Sequence, residues 1–139
     1  MNLFIVSGAP NTGKSTTVYH LCTYLLNLGY VKTDIPYNGK RYSTSTSFPP
    51  ILANDFSCLL EKEGKKVLIH TATDDVFNID ALVNSINNHK PSIVITTCRD
   101  FGDWPRDYFC SQLKLVNSFI LASTSDIDIE EFPLSRITR

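Results

Sequence analysis

The sequence lacks the features that would mark a membrane protein, a disulfide scaffold or a broadly basic nucleic-acid binder. Its 139 residues contain no apolar run near the roughly 20 residues that a helical membrane span requires. Thirteen Lys and Arg against 14 Asp and Glu leave a formal charge of −1, so no global field attracts polyanions and any polyanion must be met locally. The four cysteines, Cys22, Cys58, Cys98 and Cys110, are far apart in apolar segments. Without a Cys-x-x-Cys pair they read as free, buried thiols of a reducing compartment rather than as zinc or redox ligands. The apolar stretch Leu3 to Val6 is shorter than the ~7–15 residues of a signal-peptide core and has no basic leader, so a cytoplasmic location is expected. No internal repeat is visible, and the only biased stretch is Ser43-Thr44-Ser45-Thr46-Ser47, closed by Pro49-Pro50.

What remains is ordinary globular composition. At 42% hydrophobic, 11% aromatic and 19% charged residues, the chain is too apolar for disorder, and its length points to one domain spanning residues 1–139. Leu3 to Val6 reads as a strand buried on both faces. A glycine-rich turn follows, and then Val18, Leu21, Cys22, Leu25 and Leu26 recur at helical spacing until Gly29 supplies a stop. Phe56 to Leu60 and Val67 to Thr71, separated by the turn residues Lys62-Glu63-Gly64-Lys65, predict an antiparallel hairpin, because the link is too short for a parallel crossover. Ile79, Leu82, Val83 and Ile86 mark a helix ending near Asn88 and Pro91. Ile93 to Thr97 is a further strand, a short helix starts near Asp103 and Pro105, and Phe119 to Ala122 reads as a last clear strand. The tail from Asp126 to Arg139 reads as an edge strand or as incomplete structure. Strands alternating with helices imply a mainly parallel sheet covered on both faces, with the hairpin as an antiparallel edge.

The turn after the first strand carries the chemistry. Gly8-Ala9-Pro10-Asn11-Thr12-Gly13-Lys14-Ser15 matches G-x-x-x-x-G-K-[ST] at every fixed position, between a strand and a helix as the pattern demands. Gly8 and Gly13 allow the backbone to wrap a phosphate, so that successive N–H groups and the helix N-terminus point at it. Lys14 is placed as a point charge for the β- and γ-phosphates, and the Ser15 hydroxyl as a ligand for Mg²⁺. Thr16 is either an α-phosphate contact or a local helix-start cap.

On these residues the chain resembles the P-loop nucleoside-triphosphatase superfamily. The resemblance implies a three-layer α/β/α fold with roughly five strands, an Mg²⁺-nucleotide cofactor or substrate, and phosphoanhydride cleavage or phosphoryl transfer. It also implies an acidic residue at a neighbouring strand end to hold the magnesium through water. Two strand ends qualify: Val67 to Asp75, ending in paired carboxylates, and Ile93 to Asp100. The first is favoured, because in Ras-type GTPases a similar hairpin arm lies beside the P-loop strand. Asp74 is then the metal candidate and Asp75 the cap of the following helix.

Base and reaction are less constrained. Ras-type GTPases carry an Asn-Lys-x-Asp motif that neither Thr97-Cys98-Arg99-Asp100 nor Ala122-Ser123-Thr124-Ser125-Asp126 supplies, so adenine is the default base and ATP the expected nucleotide. Arg99 to Tyr108 brings two arginines, three aspartates and the only tryptophan into ten residues beyond a parallel strand, the edge where ligands bind in such sheets. Arg99 and Arg106 are therefore candidates to clamp a phosphoryl group, as arginines do in small nucleotide kinases. His70 is a candidate to face the nucleotide from a buried strand. The segment Tyr30 to Pro50, with Lys40 and Arg41 beside an Asn-Gly turn, reads as a switch or acceptor loop. Hydrolysis by a minimal NTPase is preferred over a small-molecule kinase, which would need a lid, and over a nucleotide-binding module without turnover. With so little chain outside the sheet, the acceptor site is either improvised from loops or completed by a second protein chain.

Overall fold

The computed structural model describes residues 1–8, 13–35, 55–100, 102–114 and 128–134. They form β1 (Asn2–Gly8), α1 (Lys14–Asn27), β2 (Val31–Asp34), β3 (Ser57–Lys62), β4 (Lys65–His70), α2 (Val76–His89), β5 (Ile93–Cys98), α3 (Arg106–Gln112) and β6 (Asp128–Leu134). The six strands make one mixed sheet in the order β2-β3-β4-β5-β1-β6. β1 pairs in parallel with β5 and β6, and β4 in parallel with β5; β3 is antiparallel to both β2 and β4.

Strict alternation in the strands sends side chains to two separate cores. Leu3, Ile5, Leu59, Leu68 and Val94 pack on one face against Ile79 and Leu82 of α2, Phe109 and Cys110 of α3 and Leu113 just beyond it. Val6, Cys58, Leu60, Val67, Ile69 and Ile95 pack on the other face against Val18 and Cys22 of α1. Helices thus cover both faces, as the alternating pattern predicts. All four cysteines are free and buried. Among the described residues no helix is long and apolar enough to cross a membrane.

The hairpin forms as the sequence predicts, with Glu63 and Gly64 at the turn between β3 and β4 in positive φ. α1 ends at Leu28 and Gly29, the latter at φ 100°. Three features differ from the sequence-based expectation. The described sheet has six strands rather than about five. Val31–Asp34, assigned by sequence to a long loop, is a strand that extends the sheet beyond the hairpin. Only four residues long, with Val31 its one apolar residue, it carries too little apolar alternation to be seen without its neighbour β3. The hairpin arm β4 does not lie beside β1, because β5 is inserted between them. The tail does add an edge strand, β6, with Phe132 stacked on Phe4 at 6.4 Å. Pro133, which has no N–H to give a ladder, is tolerated there. The expected strand Phe119 to Ala122, residues 36–54 with Lys40 and Arg41, and residues 135–139 lie outside the described residues.

Candidate functional site

Parallel β1, β4 and β5 all end at one edge of the sheet, and the antiparallel β3 begins there. The site is assembled at this edge from four pieces of chain. From β1 and α1 come Gly8, Gly13, Lys14 and Ser15. Gly13 precedes α1 with φ 93°, a left-handed conformation that a side-chain-bearing residue would adopt only under strain, and the space a Cβ would occupy is open. The Lys14 ammonium donates to the Gly8 carbonyl at 2.9 Å, so the side chain folds back toward the end of β1. Burial pushes its pKa below the ordinary value, opposed by the nearby Asp74 carboxylate. A half-buried ammonium favours an incoming anion, whose charge opposes the effect of burial. Thr16 sits half-buried in the first turn of α1, and Thr17 donates back to the Gly13 carbonyl at 2.9 Å. Ala9, Pro10, Asn11 and Thr12 lie outside the described residues.

The Ser15 hydroxyl donates to Asp55 at 2.9 Å. Asp55 stands just before β3 and is held from its other side by Thr71, whose hydroxyl donates to the same carboxylate oxygen at 3.1 Å and accepts from the Phe56 N–H at 2.9 Å. Burial raises the Asp55 pKa, while the hydrogen bonds from Ser15 and Thr71 counteract part of that rise. Sequence reasoning passed over Asp55 by looking for carboxylates after apolar runs, where parallel strands end. Asp55 precedes its run. The signal was nevertheless in the sequence: once Phe56 to Thr71 is read as an antiparallel hairpin, the start of its first arm must share an edge with the end of its second.

The third piece follows β4. Asp74, 57% exposed, accepts from Arg99 Nε at 2.9 Å rather than meeting Ser15. Asp75 caps α2 as the sequence predicts, accepting from the Asn78 N–H at 2.8 Å and the Asn78 side-chain amide at 3.0 Å. The fourth piece follows β5. Arg99, with Asp100 next to it, reaches from the strand end to Asp74, and both residues lie close enough to Lys14 to affect its protonation. Threonines weld β4 to β5 beneath this edge: Thr96 donates to the His70 carbonyl at 2.6 Å, Thr97 to the Thr71 carbonyl at 2.9 Å, and Thr73 to the Thr97 hydroxyl at 2.8 Å.

Two further candidate residues, besides Asp74, are corrected by the geometry. Arg106 does not face the site; its side chain is 1% exposed and forms a two-pronged pair with Glu131 of β6, at 2.9 and 3.0 Å. Pro105 starts α3 so that Arg106 points inward toward the sheet, which no local pattern in the loop reveals. His70 does not face a ligand either. Its Nε2–H donates to the carbonyls of Ala72, at 2.8 Å, and Asn78, at 3.0 Å, and its Nδ1 accepts from the Ser57 hydroxyl at 3.0 Å. Burial holds its pKa down at about 4, so the ring is neutral and fastens the turn between β4 and α2.

Among the described residues no cluster of three or more His, Cys, Asp or Glu side chains is arranged to hold a metal. The Ser15 hydroxyl and Asp55 carboxylate form instead a two-residue set of hard oxygen donors. That suits Mg²⁺, which keeps most of its waters and takes few protein ligands when phosphates supply the rest. Comparison of the chain with protein-family models, with curated proteins and with solved structures returned no match.

Proposed function

We propose that the chain binds an Mg²⁺-nucleoside triphosphate, by default ATP, at the edge formed by Gly8, Gly13, Lys14, Ser15, Asp55 and Arg99, and hydrolyses it. The observation that carries this reading is the contact between Ser15 and Asp55 beside a Lys14 that rests on the Gly8 carbonyl. Each of these polar groups is held by a bond that an Mg²⁺-phosphate unit would replace. Ser15 and Asp55 are the residues to hold magnesium, Asp55 through water, and the ion when bound neutralises charge on the β- and γ-phosphates. Asp55 takes the place that the sequence reading assigned to Asp74.

The chain's own residues then have distinct tasks. Lys14 leaves the Gly8 carbonyl for the phosphate oxygens, whose negative charge offsets the effect of burial on its pKa. The N–H groups at the start of α1 orient the phosphate chain. Arg99, its side chain 21% exposed and, among the described residues, paired at its Nε with an exposed carboxylate, is the cation able to turn toward a γ-phosphate at little cost, since such a surface pair contributes about 0–1 kcal/mol. Hydrolysis is preferred to transfer because Arg106, the second arm of a kinase-like clamp, is buried against Glu131. A cytoplasmic setting and a second chain that completes the site are part of the same proposal.

The test is Mg²⁺-ATP binding by calorimetry to the wild type and Lys14→Ala. A loss of affinity of roughly 100-fold or more is expected from removing the ammonium, against an unchanged fold by circular dichroism. Equal affinity in the two proteins would refute the reading.

A further inference from the structure

The Arg106–Glu131 pair is buried at both ends, with side-chain exposures of 1% and 3%. Burying two charges is expensive, and replacing such a pair by apolar residues of similar volume is commonly neutral or stabilising. Stability alone therefore gives little reason for an ion pair in a core otherwise built of Leu3, Ile5, Phe109 and Cys110. What an apolar pair would lack is a third contact: Arg106 Nη1 also donates to the Arg99 carbonyl at 2.9 Å. That carbonyl belongs to the first residue beyond β5, where the sheet ladder has ended.

Glu131 makes the reach possible. It pairs in register with Ile5 on β1, and it points to the same face as α3. The guanidinium therefore spans from β6, across β1, to the end of β5, and its planar fork serves both ends at once. The loop is further tightened by the Asp103 N–H donating to the Asp100 carbonyl at 3.0 Å and the Arg106 N–H to the Asp103 carbonyl at 2.9 Å. On its outer side the Arg99 chain is held at Nε by Asp74, an exposed contact too weak to set the main chain.

We propose that the Arg106–Glu131 pair is a positioning device that locks the main chain of Arg99 at the sheet edge, so that the edge strand β6 sets the placement of the phosphate-facing arginine. The inference rests on the nucleotide reading above for its catalytic consequence, but the locked loop is a property of the fold and is measured separately.

The test compares wild type, Arg106→Lys and the apolar double variant Arg106→Met/Glu131→Leu. Three readouts are taken: urea unfolding, amide hydrogen exchange at Asp103, and steady-state Mg²⁺-ATP hydrolysis. The double variant is expected to unfold at the same or higher urea concentration. Its Asp103 amide is expected to exchange at least ~10-fold faster. Its kcat is expected to fall by about 100-fold with KM within ~3-fold, the pattern of a misplaced group rather than a lost binding contact. Arg106→Lys keeps the charge but cannot serve Glu131 and Arg99 together, so it shares the faster exchange and the loss of kcat in smaller measure. This variant also decides the matter if the double variant does not fold. Wild-type exchange and wild-type kcat in a folded variant would overturn the proposal. A wild type that neither binds nor hydrolyses ATP, yet shows the exchange difference, would count against the nucleotide reading and leave the lock standing.

Discussion

Ser15 and Asp55, separated by 40 positions in the chain, meet at 2.9 Å where the first helix begins and the third strand starts. The contact ties the glycine-lysine turn to the far half of the sheet, because Asp55 is also bonded to Thr71 at the end of β4. A metal-phosphate unit arriving at the turn would therefore be felt at the β3–β4 hairpin as well as at α1.

Asp55→Asn is expected to lower magnesium-dependent turnover by at least ~100-fold, and Asp74→Asn by less than ~5-fold. The same Asp55 variant should raise the thermal midpoint of the free protein at neutral pH. The carboxyl has a raised pKa in the fold, so its charged form is disfavoured there relative to the unfolded chain, and an amide removes that cost. Calorimetry and a phosphate-release assay on the three proteins check both halves. Loss of turnover in Asp74→Asn alone would return the metal role to Asp74.

Arg99→Ala is expected to leave urea stability within about 0.5 kcal/mol, since its pair with Asp74 is exposed. Its kcat for ATP hydrolysis should nevertheless drop by roughly 100-fold, the usual loss when one charge-stabilising donor is removed from a reaction site. Single-turnover hydrolysis at saturating nucleotide distinguishes this from weaker binding.

Acid should destabilise the fold through His70. The ring binds its proton with a pKa of about 4 in the fold against 6.5 in the unfolded chain, so the unfolded state takes up the proton first. Stability from this group is fully present above pH 6.5 and is lost as pH falls toward 4, by about 3 kcal/mol. Urea unfolding at pH 7 and pH 4.5 should show this fall in the wild type. The fall should be correspondingly smaller in His70→Gln, whose amide can still donate and accept but does not titrate.

Asp75→Ala should cost about 1 kcal/mol in urea unfolding by removing the cap on the Asn78 N–H, with Mg²⁺-ATP affinity unchanged. A change in affinity without a change in stability would mean that Asp75, rather than Asp55, faces the ligand.

Much of this arrangement was legible before folding. Short β-branched apolar runs such as Leu3 to Val6 and Ile93 to Thr97 read as buried strands, and the spacing of Val18, Leu21, Cys22 and Leu25 as one side of a helix. The Asp75 cap follows from the position of a short acceptor side chain before a periodic segment. The strand Val31–Asp34 was not legible, because a four-residue edge strand is stabilised by its ladder with β3 rather than by its own pattern. Arg106 was misread because a charged residue in a polar loop is ordinarily solvated, and its burial becomes tolerable through Glu131, 25 positions away, together with the Arg99 carbonyl.

The sequence by itself determined the local chemistry: a glycine turn able to wrap an anion, a lysine and a serine at its end, and the strands and helices that carry them. These depend on neighbours a few positions apart, through backbone freedom at Gly13 and hydrophobic periodicity in α1. Tertiary structure alone decided the partners. The strand order placed β5 between β1 and β4, the antiparallel run of β3 brought Asp55 to Ser15, and the burial of Glu131 beside Ile5 drew Arg106 inward. Each is a contact between distant segments whose free energy exists only once the sheet has closed the chain between them, so no local pattern could record it.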